Sequence, residues 1–348
     1  MATKSRSRNV GRRPRTSLDL FLDLCLGIYA VAIAVIWLTN LIGPDLWWFS
    51  AANLYLPQWI YALPAIPLFV LALAARSRRW FAPVVLAACV LGPLMGLRFR
   101  WFSDSPVGAQ AHLRIMTWNV KWFGAKRSEL VAEIRRVRPD IVVMQDAPGA
   151  GRALASQLGP EWQVVELAEY VLASRRPISA PEPRWISYPE HNHRAARVEM
   201  DLDGRKVIVY TVHFMSPRTS LLRVRSLDSR AAESLEGTAA ARIRQAEMLA
   251  YSLSHEKDPV VLGGDLNAPM QSLVVRTLLR AGMHDAFDEA GRGYGYTYGH
   301  NVRRIGASFV RIDHILASRQ WTALDCRVGD SRASDHQPVI ADLVLTAP

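Results

Sequence analysis

Cysteine is scarce in this chain, with three in 348 residues. Cys25 and Cys89 lie in apolar stretches and Cys326 stands alone, which excludes a disulfide framework and a thiolate metal site. Acidic residues are the minority charge, 31 against 42 Lys and Arg, for a net charge of +11. A basic excess of that kind points to nucleic acid or to an anionic membrane surface. Its placement argues against the first: before His112 there are eleven basic and four acidic residues, and from His112 onward 31 and 27. The excess is concentrated in the front third, where basic residues act as membrane topology signals. No internal repeat or low-complexity tract marks the remainder, and a chain of 348 residues is long enough for two unlike parts.

What the front third does have is long apolar runs. A basic tail carrying Lys4, Arg6, Arg8, Arg12, Arg13 and Arg15 precedes a run from Leu24 to Ile42, about the 20 residues that span a hydrocarbon layer. Gly43, Pro44 and Asp45 end it. Trp47, Trp48, Phe49, Tyr55, Trp59 and Tyr61 crowd the following stretch, as amphipathic aromatics do at a membrane interface. A second run, Leu54 to Ala75, is interrupted by Pro57, Pro64 and Pro67, which membrane helices tolerate. After the basic turn at Arg76, Arg78 and Arg79, a third extends from Trp80 to Leu97. The expectation is three transmembrane helices. Arg12 and Arg13 with Ala109-Gln110-Ala111 would suit an exported and cleaved leader, but a leader has one short apolar region, not three long ones. Positive segments stay inside, so three crossings place everything after Leu97 outside the cytoplasm; Arg98 and Arg100 oppose nine basic residues on the inner side. The expected organisation is a basic cytoplasmic tail (1–17), a membrane anchor (18–99), a linker (100–111) and a folded domain (112–348).

From Leu113 the text changes to short apolar runs alternating with amphipathic segments. Strands are expected at Leu113–Val120, Ile141–Met144, Val164–Ala173, Ala195–Leu202, Lys206–Val212, Val310–Leu316 and Val339–Leu345, with Asp203-Gly204 a hairpin turn. Helices are expected at Arg127–Val137, with Leu130, Ile134 and Val137 on one face, and at Ala239–Leu253. Many strands with few helices imply an α+β sandwich, two packed sheets with helices outside.

The strand ends carry the chemistry. Val260 to Pro269 reads as a buried strand in which Gly263 and Gly264 permit a tight turn and Asp265 and Asn267 emerge on one face. The same design recurs: Asn119 ends the first strand, Asp146 the second and His213 a third, Asp313 stands beside His314, and Asp335 beside His336. One such Asn or Asp is usually a turn former and a lone His a structural residue. Six such ends in one domain call for another explanation. Phosphate ester hydrolysis needs charge neutralisation, an orienting group for water and a partner for the leaving oxygen. Oxygen ligands without cysteine favour magnesium or manganese over zinc.

In chain order these residues resemble the endonuclease/exonuclease/phosphatase superfamily, the fold of deoxyribonuclease I, over Leu113 to Leu345. The most specific pieces are WNV at Trp118, GDLNAP at Gly264, RIDHIL at Arg311 and SDHQPV at Ser334. The resemblance implies a four-layer α/β/β/α sandwich. It further implies that Asn119 and Asp146 hold Mg2+ (or Mn2+) with support from Asp335, and that Asp265 and Asn267 orient water and a phosphate oxygen. His336, positioned by Asp313, would stabilise the phosphoryl group, and His213 would assist the leaving group. The family has glutamate where this chain has Asp146, a shorter reach toward a metal. Arg218 and Arg242, in an arginine-rich stretch after His213, are candidate substrate contacts because the guanidinium fork suits phosphate oxygens. Gly291–Gly299 is expected to be a mobile loop over the site. With its anchor, the chain also resembles the VanJ-type proteins of teicoplanin resistance, which implies hydrolysis of undecaprenyl diphosphate at the bilayer. The alternatives are a tethered extracellular nuclease or phospholipid phosphodiesterase, and an inactive module that binds a lipid or glycopeptide. Nucleic acid is disfavoured by the modest charge of the domain.

Overall fold

The computed structural model describes residues 16–100, 111–123, 126–186, 193–301 and 306–346. The basic tail through Arg15, most of the linker and the Ala109-Gln110 pair lie outside the described residues. The chain divides into two compact units, Met1–Trp37 with Gln58–Met95, and Leu38–Pro57 with Gly96–Pro348. Residues Leu38–Pro57, which the sequence reading counts with the anchor, therefore cluster with the larger unit.

Among the described residues one helix, α1 (Ser17–Ile42), is long and apolar enough to cross a membrane. At 1.5 Å per residue it extends about 39 Å, more than the roughly 30 Å of a hydrocarbon core. The expectation of three such helices is corrected. Helix α2 (Trp48–Asn53) belongs to the larger unit. The second apolar run breaks into a 3-10 segment at Gln58–Ala62 and the short α3 (Ala65–Ala74). The third breaks into a 3-10 turn at Arg78–Trp80, α4 (Phe81–Cys89) and a π-helical turn at Val90–Leu94 with Pro93 inside. Proline lacks the N–H that continues a helix, and Pro57, Pro64 and Pro93 fall at these breaks. In the smaller unit Arg79 ion-pairs with Asp19 at 3.2 Å and with Asp23, which satisfies the two acids of α1.

The larger unit runs β1 (Ala111–Asn119), α5 (Arg127–Val137), β2 (Ile141–Gln145), α6 (Gly151–Leu158), β3 (Gln163–Leu167), β4 (Tyr170–Ser174), β5 (Glu182–Trp185), β6 (Arg194–Leu202) and β7 (Arg205–His213). It continues through α7 (Arg218–Arg225), α8 (Ala231–Ser254), β8 (Val260–Asp265), α9 (Leu273–Arg280), β9 (Met283–Asp285), α10 (Ala286–Ala290), β10 (Asp313–Ser318), β11 (Trp321–Val328) and β12 (Val339–Leu345). The described strands make two six-stranded sheets, ordered β11-β12-β1-β2-β4-β3 and β5-β6-β7-β8-β10-β9. Their inner faces meet in a core that includes Ile115, Val143, Val209, Val261, Ile315 and Leu343. Helices α5 and α6 cover the first sheet through Leu130, Ile134 and Leu154, and α8 and α9 cover the second through Leu249, Val274 and Leu278. Each fully buried aliphatic side chain contributes about 1.5–3 kcal/mol. The result is the four-layer α/β/β/α sandwich.

Local chemistry explains most boundaries. Helix α5 ends where Arg138 turns left-handed at φ 51°. Asp203 and Gly204 both take positive φ, 54° and 85°, as a two-residue hairpin turn requires. The single strand expected over Val164–Ala173 is instead the hairpin β3–β4, turned by Ala168 at φ 56°. Alanine gives no turn signal, so the break was hidden.

Candidate active site

The register of the second sheet aligns three of the predicted site residues in one row. His213 on β7 lies opposite Asp265 on the parallel β8, and Asp265 opposite Asp313 on the antiparallel β10. In the first sheet Asn119, ending β1, pairs in register with Gln145, ending β2. A hydrogen bond joins the two rows across the sandwich, from Asn119 Nδ2 to Asp265 Oδ2 at 3.0 Å. Beneath it Gln145 Nε2 donates to Thr117 Oγ1 at 3.0 Å and Thr211 Oγ1 at 2.8 Å, again linking the sheets.

Close approach at this end explains Gly263 and Gly264, and corrects their reading as a tight turn. Both lie inside β8. A Cβ on Gly263 would stand 2.9 Å from Val143 Cγ2 and 3.1 Å from Thr117 Cβ in the facing sheet, and one on Gly264 would stand 2.3 Å from the Val212 carbonyl oxygen. The turn comes afterwards, at Asn267, with φ 47°. Asp265 and Asn267 are therefore not two residues of one extended face. Asn267 folds back, its N–H donating to Asp265 Oδ1 at 2.8 Å and its Nδ2 to the Phe214 carbonyl at 2.9 Å.

Two imidazole–carboxylate pairs converge on Asp265. His336 Nδ1 lies 2.9 Å from Asp313 Oδ2 and its Nε2 3.8 Å from Asp265 Oδ2. His213 Nδ1 lies 3.0 Å from Glu169 Oε2 and its Nε2 3.6 Å from Asp265 Oδ2. A carboxylate facing each Nδ1 assigns the proton there and turns Nε2 to the centre. Asp265, Asp313 and His336 are 1 %, 1 % and 7 % exposed. Burial alone would push both imidazoles down. For His336 the charges of Asp313 and Asp265 outweigh it, and for His213 the Glu169 hydrogen bond and the Asp265 charge do, raising each from 6.5 to about 9. Burial and the neighbouring Asp313 raise the Asp265 carboxyl, against the opposing pull of the two imidazoles.

Asp146 follows β2 at φ 54° and is partly buried. Burial raises its carboxyl, His213 opposes this, and Glu169 and Asp335 add to it. Asp335 accepts a 2.6 Å ion pair from Lys121 Nζ. Asn119 Oδ1 accepts the Lys121 N–H at 3.1 Å, and the like charges of Asp146 and Asp335 act on one another. Asp265, Asp313 and His336 keep their ligand atoms within 4.8 Å of one another, a buried group that could itself hold a metal ion.

The other predicted residues divide. Arg218 opens α7, and its charge reaches the Tyr298 phenol. Burial raises that phenol; Asp335 adds to the rise, and Arg218 and Lys121 oppose it. Arg242 is wholly buried in α8, its guanidinium 5.8 Å over the Tyr55 ring, and so meets protein in this conformation, not solvent. The Gly291–Gly299 stretch is not a free loop. Gly293 exchanges hydrogen bonds with Arg98, Tyr298 pairs with Val310, and Thr297 accepts from Gln337 N–H at 2.8 Å.

Two site neighbours escaped the sequence reading: Glu169, in the β3–β4 turn, and Lys121, two residues after Asn119. Tyr298, whose ring lies 4.9 Å from that of His336, belongs to the Gly291–Gly299 stretch expected over the site.

The Endonuclease/Exonuclease/phosphatase family matches residues 116–336. No curated protein sequence matches the chain. Among solved structures, a family protein from Bacteroides vulgatus is 20% identical, with a TM-score of 0.55 over 68% of this chain and 100% of its own. One from Bacteroides thetaiotaomicron is 15% identical, with a TM-score of 0.52 over 68% and 97%. The D. rerio TDP2 complexed with a single-strand DNA product is 15% identical, with a TM-score of 0.52 over 67% and 99%. At these identities the likeness is one of fold.

Proposed function

The chain belongs to the endonuclease/exonuclease/phosphatase family, a divalent-metal-dependent family of phosphate ester hydrolases, and on that premise we propose that it hydrolyses a lipid diphosphate at the outer surface of the membrane. The substrate we assign is undecaprenyl diphosphate, cleaved to the monophosphate. The observation that carries this reading is α1, a helix of membrane-spanning length and composition on the same chain as the hydrolase site. One crossing in place of three leaves the parity unchanged. With the six basic residues of the tail inside, the residues after Ile42 lie outside, beside lipid headgroups and away from cytosolic nucleic acid and sugar phosphates.

The geometry supports the following assignment of roles. Asn119, Asp146 and Asp335 would hold the cation, which supplies charge neutralisation on the phosphate oxygens. Asp265, between two imidazoles, orients the attacking water, and Asn267, whose N–H and amide donate to Asp265 and to the Phe214 carbonyl, holds that carboxylate in place and does not reach for a phosphate oxygen as the sequence suggested. Asp313 keeps His336 in its protonated form, aimed to stabilise charge on the transferring phosphoryl group. Glu169 does the same for His213, which carries a proton suited to the departing phosphate oxygen. Arg218 adds a fork for the second phosphate.

The test is the full-length chain in detergent with Mg2+, given undecaprenyl diphosphate, sphingomyelin or plasmid DNA, beside an Asp265→Ala control. Inorganic phosphate released from the diphosphate alone supports the assignment. Nicked plasmid or hydrolysed sphingomyelin replaces it with a nuclease or phosphodiesterase, and no turnover of any of the three favours a binding module.

A further inference from the structure

The residues between the first apolar helix and Pro57 cluster with the hydrolase unit and grip the loop that presents Asp265 and Asn267. Tyr55 donates its hydroxyl hydrogen to the Asn267 carbonyl at 2.7 Å. Asp45, 4 % exposed, accepts from Ser272 Oγ and from the Leu273 N–H, both at 2.7 Å, at the start of α9 where the loop ends. Its negative charge also suits a helix N-terminus. Farther along α9 Arg276 donates to the carbonyls of Leu41 and Asn40. Midway along the segment, Trp48 N–H donates to Glu236 of α8 at 3.0 Å.

Asn267 turns left-handed at φ 47°, a conformation Asn adopts more readily than most non-glycine residues, and its contacts fix it there. Its side chain is fixed by the Phe214 carbonyl and by Asp265. Its carbonyl is met by Tyr55, whose ring lies under the fully buried Arg242 guanidinium. Arg242 in turn reaches the Met215 carbonyl, next to Phe214. Arg242 and Tyr55 thus connect the two chain segments that bracket Asn267.

We propose that Tyr55 is a positioning residue for hydrolysis, fixing the Asn267 turn through its hydroxyl and thereby making the segment after the first apolar helix part of the catalytic unit. The inference rests on the catalytic reading of Asp265 and Asn267. An error of about 1 Å in a reacting group can lower a rate by about 10²-fold, and loss of one neutral hydrogen bond that leaves the fold intact shifts such an arrangement only in part.

The test compares the full-length chain with Tyr55→Phe, Asp265→Ala and, as a control, Tyr251→Phe, an exposed position on α8. Activity is measured on bis(p-nitrophenyl) phosphate with Mg2+ or Mn2+, a soluble probe independent of the lipid assignment, and hydrogen exchange is followed at Leu266 and Asn267. Tyr55→Phe is expected to lower kcat about tenfold, to leave KM within about twofold, and to speed exchange at those two amides, while Tyr251→Phe changes neither. An unchanged kcat in Tyr55→Phe with activity lost in Asp265→Ala overturns the positioning role alone. Activity retained in Asp265→Ala overturns the catalytic reading beneath it. Unchanged exchange at Leu266 and Asn267 overturns the positioning role whether or not the probe is turned over.

Discussion

The Asp313–His336 pair lends itself to a quantitative test. Asp313 is 1 % exposed and presents both carboxylate oxygens to His336 Nδ1, at 2.9 and 3.1 Å. Among the influences that raise the imidazole against its burial, the Asp313 charge is the largest. The rise from 6.5 to about 9 corresponds to roughly 3 kcal/mol of preference for the imidazolium, at about 1.36 kcal/mol per pH unit. Asp313→Asn keeps the shape of the side chain and removes its charge, so most of that preference is lost. The imidazole is then largely neutral at pH 7, and its orientation is no longer set by a carboxylate. A loss of that size predicts kcat lower by about 10²–10³-fold, inside the range usual for an acid–base group. KM should hold within a few-fold, because no ground-state contact to substrate is removed. The assay is steady-state phosphate release at pH 7 with saturating Mg2+, with far-UV circular dichroism and a denaturant midpoint to establish that the variant folds. A folded Asp313→Asn with kcat within threefold of the parent would refute the assignment of His336 as a charged catalytic group.

Two further outcomes follow from buried charges. Arg311→Met strips Asp285 of its 2.7 Å cationic partner and leaves a 3 % exposed carboxylate with His314 and the Asp288 N–H. It should cost about 3–5 kcal/mol in urea unfolding at pH 7; and because Arg311 and His314 overcome burial to hold Asp285 below the ordinary carboxylate range, the deficit should shrink as the pH falls below about 4. A loss under 1 kcal/mol at pH 7 would contradict the account of this network. In excess chelator, His213 and His336, both raised from 6.5 to about 9, should stabilise the fold fully below pH 6.5 and progressively less as the pH rises through about 9. Urea midpoints that stay level between pH 6.5 and 9.5 would show that the imidazoles are not held as cations.

Much of the candidate site was legible in the sequence because several of its residues stand at strand ends. An apolar run followed by Asp, Asn or His reports both a strand and what it carries, and Asn119, Asp146, His213 and Asp265 announce themselves that way, whereas Asp313 opens β10 and Asp335 and His336 precede β12. Helix α5 and strand β12 were legible for a similar reason, an uninterrupted periodic face or a continuous apolar run. Glu169 was not. It occupies a turn whose residues carry no turn signal, and its meaning comes from a 3.0 Å contact with a residue 44 positions away. The three-helix anchor failed through a different cause. Apolar composition is summed over a window, whereas helix length depends on where single prolines interrupt the hydrogen-bond ladder.

Composition and local pattern were therefore enough to separate an apolar front from an α+β hydrolase domain and to name most of its polar centre, because each of those signals is carried by neighbours in the chain. Only the tertiary structure decided how these residues act on one another. Packing two sheets close enough to require Gly263 brings Asn119 onto Asp265, and the strand order turns two histidines toward the same carboxylate. Folding also carried Tyr55 across more than 200 residues of sequence to the Asn267 carbonyl. Contacts of that kind depend on distance in space, to which the order of residues along the chain is silent.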